Sequence, residues 1–467
     1  MKSLSTAVTA SLAIALSTFS CASALAAEPA DIIIRNAKVL TIDAGRHMYD
    51  KGVVVIRGNT IAAVGGAELA DAYTAPTVID AGGDIVMPGL INGHNHLSMS
   101  VFRGVRSTQA HPTLFTFFFP LEAQTLTREL IRVSAREAAI ESAMAGVTMV
   151  TDMYYHEDEV AKSVAEVGIR GVLGETVINF PVVDATKPYG GYEYAKNYIR
   201  EWKGHALITP AVAPHAEYTV TAEWIRKCRA LAEAEGVPYL MHVVESPVER
   251  ERMEKDLGVD FKGRSVIKYL EDEGALGDGL VAAHVIYLDN ADIQILKKHG
   301  VGVSHNPKAN GSHFSPSWRM FKQGLDVGLG TDGPLGVSKM DILEQIAYAK
   351  QTAHSFGDPQ DDTPYDWVYM ATMGGAKMLD KEAEIGSLEV GKKADMIIID
   401  VDTPNMQPQF DPYWQVAYST YPSNVLTTIV DGKFVMRDRV IQNVDMKKHY
   451  AEWGPIAKKV QDRGLEM

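Results

Sequence analysis

A (β/α)8 barrel with a small β-rich domain built from both chain ends is the fold class this sequence predicts. Three observations lead there. Short apolar strands alternate with helical patterns through the middle of the chain. Strand-rich segments with Gly and Asn turns enclose that middle on both sides. His and Asp residues recur at the C-terminal ends of the candidate strands, where a barrel places its chemistry.

The first residues read as a signal peptide, residues 1–26. Lys2 supplies a positive start, an uncharged apolar run extends from about Ala7 to Phe19, and Ala24-Leu25-Ala26 forms an A-x-A cleavage site. The run is too short for a membrane anchor. Cys21 leaves lipidation open, although "TFSC" lacks the aliphatic residue expected three positions before it. Export, to a bacterial periplasm, is the expectation. No later segment is apolar for long enough to span a bilayer.

After the signal come strand-like runs at 31–43, 52–66 and 77–89, with a hairpin tip at Asn59. The same texture returns at 393–402 and 424–441, with a turn at Asp431-Gly432. The division is therefore 27–87 and 389–467 for the small domain and 88–388 for the barrel. Within the middle, strands are expected to begin near Ile85, Val147, Arg170, Leu207, Tyr239, Val281, Val301 and Val327. Gly146, Gly236 and Gly300 close helical patterns, and Asp289 caps one whose last turn carries Lys297 and Lys298. An open doubly wound sheet is the alternative. It is weakened because no glycine-rich phosphate loop follows any strand.

Composition narrows the function. With 467 residues, 46% hydrophobic and 22% charged, the chain is an ordinary globular protein. Its formal net charge is −14, or −15 once Lys2 leaves with the signal. It lacks the basic footprint of a nucleic-acid binder, and the same acidity argues against anionic membranes. A neutral or cationic small-molecule substrate remains, and a homo-oligomer stays open. Of the two cysteines, Cys21 and Cys228, cleavage removes the first. Neither an intramolecular disulfide nor a thiolate metal site is then available. Cys228, in "AEWIRKCRALAEAEG", is expected to pack within a helix.

His94-Asn95-His96 carries the first chemical signal. Two His at i and i+2 on a strand share a face, and side-by-side imidazoles suit a Zn²⁺-type ion. Alone, the pair is equally well two polar loop residues. Later strand ends add His215 in "VAPHAEY", His242 and Glu245 in "PYLMHVVES", His284 in "LVAAHVIYL", His305 and Asn306 in "VGVSHNPKAN", and Asp332 in "DVGLGTDGP". Each has a bland reading as a core His, a solvated Glu or a turn Asp. Their recurrence in strand order favours one shared site.

The blocks "MPGLINGHNHL", "HVVES", "AHVIYL", "SHNPKAN", "GTDGP", "ATMGGAKMLD" and "IGSLEVGKKADMIIID" resemble, in order, those of the amidohydrolase superfamily. The likeness lies with its cytosine-deaminase-like, methylthioadenosine/S-adenosylhomocysteine deaminase and triazine-chlorohydrolase branch, and covers nearly the whole mature chain. The resemblance implies a distorted (β/α)8 barrel with a β-sandwich made from both termini. It implies that His94, His96, His242 and Asp332 bind one divalent metal, Zn²⁺ by default with Fe²⁺ as the other option. Asp332 would also accept a proton, Glu245 would act as general acid/base, and His284 would orient the attacking water. Two-metal relatives carry a bridging Lys at the end of the fourth strand. "TPAVAPHAEY" has none, which favours one metal.

Specificity is expected in "SVFRGVRSTQAHPTLFTFFFPLEAQ", where His111, Phe115, Phe117, Phe118 and Phe119 depart from the nucleoside deaminases. An aromatic lid over a flat substrate and simple packing on the barrel both stay open. Arg103, His215, Asn306, Phe119 and Trp318 are the candidate substrate contacts, with Glu217, Asn310 and His313 behind them. His305 is expected to face outwards or support its loop, and His156 and His354 to lie at the surface.

The leading reading is a metal-dependent hydrolase: activated water attacks an aminated N-heterocycle (purine, pterin, pyrimidine or triazine-like) and ammonia leaves. The alternative is hydrolysis of an amide, urea, carbamate or C–Cl bond by the same site. Export weakens an adenosine-salvage role. A non-catalytic binding barrel is disfavoured, because pure binding needs neither Glu245 nor Asp332 as proton carriers.

Overall fold

The computed structural model describes residues 27–109, 113–335, 339–358 and 360–467. The expected signal peptide and His111 lie outside the described residues. Eight parallel strands pair in sequence order: Leu90–Asn95, Val147–Tyr154, Arg170–Val177, Ile208–Pro214, Tyr239–Val243, Leu280–His284, Gly302–His305 and Val327–Leu329. All but one of their residues are buried, as continuous apolar strands covered by helices should be.

The helices follow from the sequence between the strands. Arg128–Met144 buries Ile131, Ala135, Ala138 and Ser142, one stripe at helical spacing, and Thr127 caps it by accepting from the Leu130 N–H. Asp289 caps Asn290–Lys298 by accepting from Asp292 N at 2.9 Å. Gly146, Gly236 and Gly300 leave their helices at φ between 63° and 83°, a left-handed exit that glycine makes without strain. Cys228 is buried in Ala222–Glu235, and burial pushes its thiol up.

A nine-stranded mixed sheet takes strands from both chain ends. Ile85–Pro88 joins them, parallel to Ile32–Leu40 on one side and antiparallel to Met396–Ile399 on the other. This corrects the expectation that the first barrel strand begins near Ile85. Pro88 and Gly89 interrupt the run, and the barrel strand starts at Leu90. The sheet buries Ile34, Val54, Ile56, Met396 and Ile398 in one cluster, and Ile33, Val53 and Val55 in another, the alternation of pleated strands. Gly58-Asn59 and Asp431-Gly432 form its expected tight turns. Arg170, buried at the start of the third barrel strand, ties barrel to sheet through Asp395 (2.6 Å) and Asp431 (3.0 Å). A helix at Met446–Glu466, at the end of the segment expected in the small domain, returns to the barrel and docks His449 between Arg136 and Glu137.

The barrel is tied shut between its first and last strands by side chains. Asn92 donates to Thr331 Oγ1 at 2.8 Å and accepts from Thr331 N at 3.1 Å. The N–H groups of Thr331 and Asp332 both reach the His94 carbonyl, at 3.1 and 3.0 Å. Gly330 makes that approach possible: a Cβ there would stand 2.2 Å from Asn306 Oδ1, 2.6 Å from Ser304 Oγ and 2.9 Å from the His94 nitrogen. Gly330→Ala is therefore expected to destabilise the fold by about 1–3 kcal/mol through overpacking. Urea unfolding measures this, and an unchanged midpoint would remove the seam from its role.

Candidate metal centre and active site

His94 and His96 leave the first strand on one face, as i and i+2 residues must, with ring centroids 4.9 Å apart. The fifth strand brings His242 within 4.9 Å of His94 and 5.2 Å of His96. The seam brings Asp332 Oδ1 to 3.4 Å from His96 Nε2 and 3.7 Å from His94 Nε2. Asp332 takes φ 60°, a left-handed conformation that Asp tolerates better than most residues. His284, at the end of the sixth strand, stacks 5.5 Å from His242. The four imidazoles are almost fully buried.

The far nitrogens decide which way the lone pairs point. His96 Nδ1 donates to the Met153 carbonyl and His242 Nδ1 to the His215 carbonyl, each at 2.7 Å. Both rings then present bare Nε2 lone pairs, which face each other at 3.2 Å. Among the described residues, His94 Nε2 is buried with no hydrogen-bond partner. Burial, then the neighbouring imidazoles, holds His94 and His242 well below the usual histidine range, so both are neutral. Converging lone pairs and a carboxylate repel one another unless a cation lies between them. The donor set therefore fits a divalent ion, with backbone carbonyls orienting the ligands. Asp152 accepts from the Leu97 N–H and fixes the chain just beyond His96.

A cavity of about 510 Å³ opens over this cluster. His215, Glu245 and Asp332 line it beside His96 and His242. Burial raises the Glu245 carboxyl above the usual range. The strand ends at Val243, and Val244 takes φ 49°, so the chain has left the pleat before Glu245 enters the cavity. His284 Nδ1 bonds Asn310 Oδ1 at 2.9 Å, leaving Nε2 buried without a partner. The aromatic segment divides. Phe118 and Phe119 line the cavity, Phe117 is buried in the core, and Phe115 packs against Phe119 and beneath Arg252.

Three expected substrate contacts are corrected. Arg103 is exposed and pairs with Glu141 at 2.6 Å. Trp318 is buried against Trp367, its indole N–H donating to Asp361 at 2.9 Å. Asn306 is fully buried and accepts from the Ser304 hydroxyl at 3.1 Å instead of facing substrate. His215 and Phe119 do line the cavity, while Glu217, Asn310 and His313 do not. His305 is buried with its imidazole pushed down to about 3, not turned outwards to solvent. His156 and His354 are half-buried, against Tyr194 and Asp362. Glu122, at the end of the aromatic segment, is not among the expected contacts. It lines the cavity, accepts from the Tyr154 hydroxyl and is pushed up to about 7 by burial.

An amidohydrolase family model matches residues 85–435. A 5-methylthioadenosine/S-adenosylhomocysteine deaminase of Syntrophus aciditrophicus is 32% identical over 93% of this chain and 98% of its own length. A 5'-deoxyadenosine deaminase of Methanosarcina mazei is 35% identical over 93% and 99%. Among solved structures, a zinc-bound adenosine deaminase from Xanthomonas campestris is 25% identical over 93% of this chain and all of that one, with a TM-score of 0.87. A zinc-bound atrazine chlorohydrolase from Arthrobacter aurescens shares the fold at 21% identity, covering 91% of this chain and all of that one, with a TM-score of 0.82.

The donor set predicts about one tightly held divalent ion per purified chain. Elemental analysis should find it, and a chelator should lower the melting temperature in wild type but not in a His94→Ala/His96→Ala variant. Equal response in both would remove the ion from this cluster.

Proposed function

The chain belongs to the amidohydrolase family, and from that premise we propose a mononuclear hydrolytic deaminase acting on an aminated purine-like ring. One observation carries this reading: a half-buried, non-ligand carboxyl, Glu245, shares a cavity with lone pairs and a carboxylate converging for one cation. The deaminase names of the 32–35% identical relatives favour ammonia as the leaving group.

A divalent ion held by His94, His96, His242 and Asp332, zinc by preference, would supply a water whose pKa is lowered towards neutrality. His284 orients that water through Nε2, its Nδ1 already committed to Asn310. Glu245 takes one of its protons and delivers it to the ring nitrogen beside the attacked carbon. Asp332 accepts the other, which then goes to the amino group as it departs. The C–N bond breaks, ammonia leaves and a ring carbonyl remains. Phe118 and Phe119 offer apolar faces to a flat ring, while His215 and Glu122 supply polar contacts at the wall.

Two outcomes are expected. Wild-type enzyme releases ammonia from adenosine-type nucleosides ahead of pterins, pyrimidines and aminotriazines, and Glu245→Gln keeps its metal while kcat falls by about 10²–10⁴-fold. Chloride release or amide hydrolysis without ammonia from any aminated ring would replace the reading, and an active Glu245→Gln would unseat Glu245. We further propose export through residues 1–26. In that case the periplasmic protein has the intact mass of a chain starting at Ala27, and a full-length cytoplasmic chain would refute it.

A further inference from the structure

Glu245 reaches the cavity only because the chain bends at Val244, and two buried carboxyls hold that bend. Glu217, just past the fourth strand, accepts the Val244 N–H at 2.8 Å. Glu249, in the first turn of Glu249–Asp256, accepts the Glu245 N–H at 2.9 Å. They are 1% and 3% exposed, and among the described residues Glu217 Oε2 and Glu249 Oε1 are buried without a hydrogen-bond partner. Burial and the neighbouring Glu217 charge raise the Glu249 carboxyl, which favours its holding a proton. Two carboxylates cannot bond each other without a hydrogen between them. One hydrogen placed between these oxygens would satisfy both, leaving the pair a single negative charge and a backbone N–H at each outer oxygen.

We propose that Glu217 and Glu249 are positioning residues for Glu245: their shared hydrogen and the two backbone N–H groups they accept hold the left-handed turn that carries Glu245 into the cavity. The kinetic side of this rests on Glu245 being the proton carrier. The geometric side does not. The fourth-strand loop then sets both functions of the fifth strand's end, since the His215 carbonyl orients His242 and Glu217 two residues later orients the path to Glu245. Neither acid lines the cavity, and each reaches the site through the backbone N–H it accepts.

Amide substitutions separate a shared hydrogen from mere shape. In Glu217→Gln or Glu249→Gln, the amide oxygen still accepts its backbone N–H and the NH₂ supplies the hydrogen between the pair. In the double variant both oxygens are already used, and two NH₂ groups oppose each other. The experiment follows hydrogen exchange at the 244 and 245 amides in the metal-loaded enzyme, with ammonia release from adenosine as the kinetic probe. Each single variant should keep wild-type protection and a kcat within about threefold. The double variant should lose protection at these two amides and fall about 10- to 100-fold in kcat, with metal content and KM little changed. Wild-type exchange in the double variant, or singles as impaired as the double, would overturn the proposal. If wild type fails to deaminate adenosine, the deaminase reading is at fault and the exchange measurement still judges the turn.

Discussion

Two hydrogen bonds from imidazole to backbone govern the site. By donating Nδ1–H to the carbonyls of Met153 and His215, His96 and His242 commit their Nε2 lone pairs to the same point in space. Without those bonds either ring could flip or change tautomer, and the two could share a proton instead of a cation. The carbonyls in question belong to the second strand and to the residue just past the fourth, so neighbouring strands in register orient the ligands. The seam completes the set. Asn92, Thr331 and the His94 carbonyl tie strand one to strand eight, and the backbone of Asp332 is anchored to a ligand's own carbonyl. Closing the barrel and assembling the donors are one event.

Much of this was legible in the sequence because period and position carry physical meaning. His94 and His96 had to share a face if they lay on a strand. Strand ends in order named His242, His284 and Asp332, which the structure brings together, since parallel strands in register put their C-terminal ends at one rim. The first strand's start was misplaced because Ile85–Pro88 and Leu90–Asn95 form one apolar run. Pairing, which no local pattern reveals, assigns its halves to different sheets.

The misreadings share a cause. Arg103, Asn306 and Trp318 were chosen by residue type and nearness to strand ends, yet Arg103 and Trp318 are occupied by partners far away in sequence, Glu141 and Asp361, and Asn306 is buried against Ser304. Conversely, Asp152, Glu175 and Glu249 drew no expectation, and Glu217 was expected only as a substrate contact, because an acidic side chain in or beyond an apolar strand does not announce what it bonds. Here all four are buried, and each accepts a backbone N–H group. Burying a carboxyl is costly unless it is protonated or well bonded. Such a set is better explained by holding the rim's geometry than by stability.

The turn at Val244 shows why that geometry needs holding. From inward-facing His242, a regular strand would turn residue 244 inward and residue 245 away. Placing Glu245 in the cavity requires reversing that order within one residue, and a β-branched valine at φ 49° resists the reversal by about 1–3 kcal/mol. A backbone N–H contributes about 1.5–3 kcal/mol in bonding a charged carboxyl and about 0.5–1.5 kcal/mol in bonding a neutral one, so one acceptor of each kind offsets the strain. Burial, and then the neighbouring Asp332 carboxylate, raise the proton affinity of Glu245 once the turn has placed it in the cavity. The two acids thus aim the proton carrier into surroundings that match it to a reaction in which it must both take and return a proton.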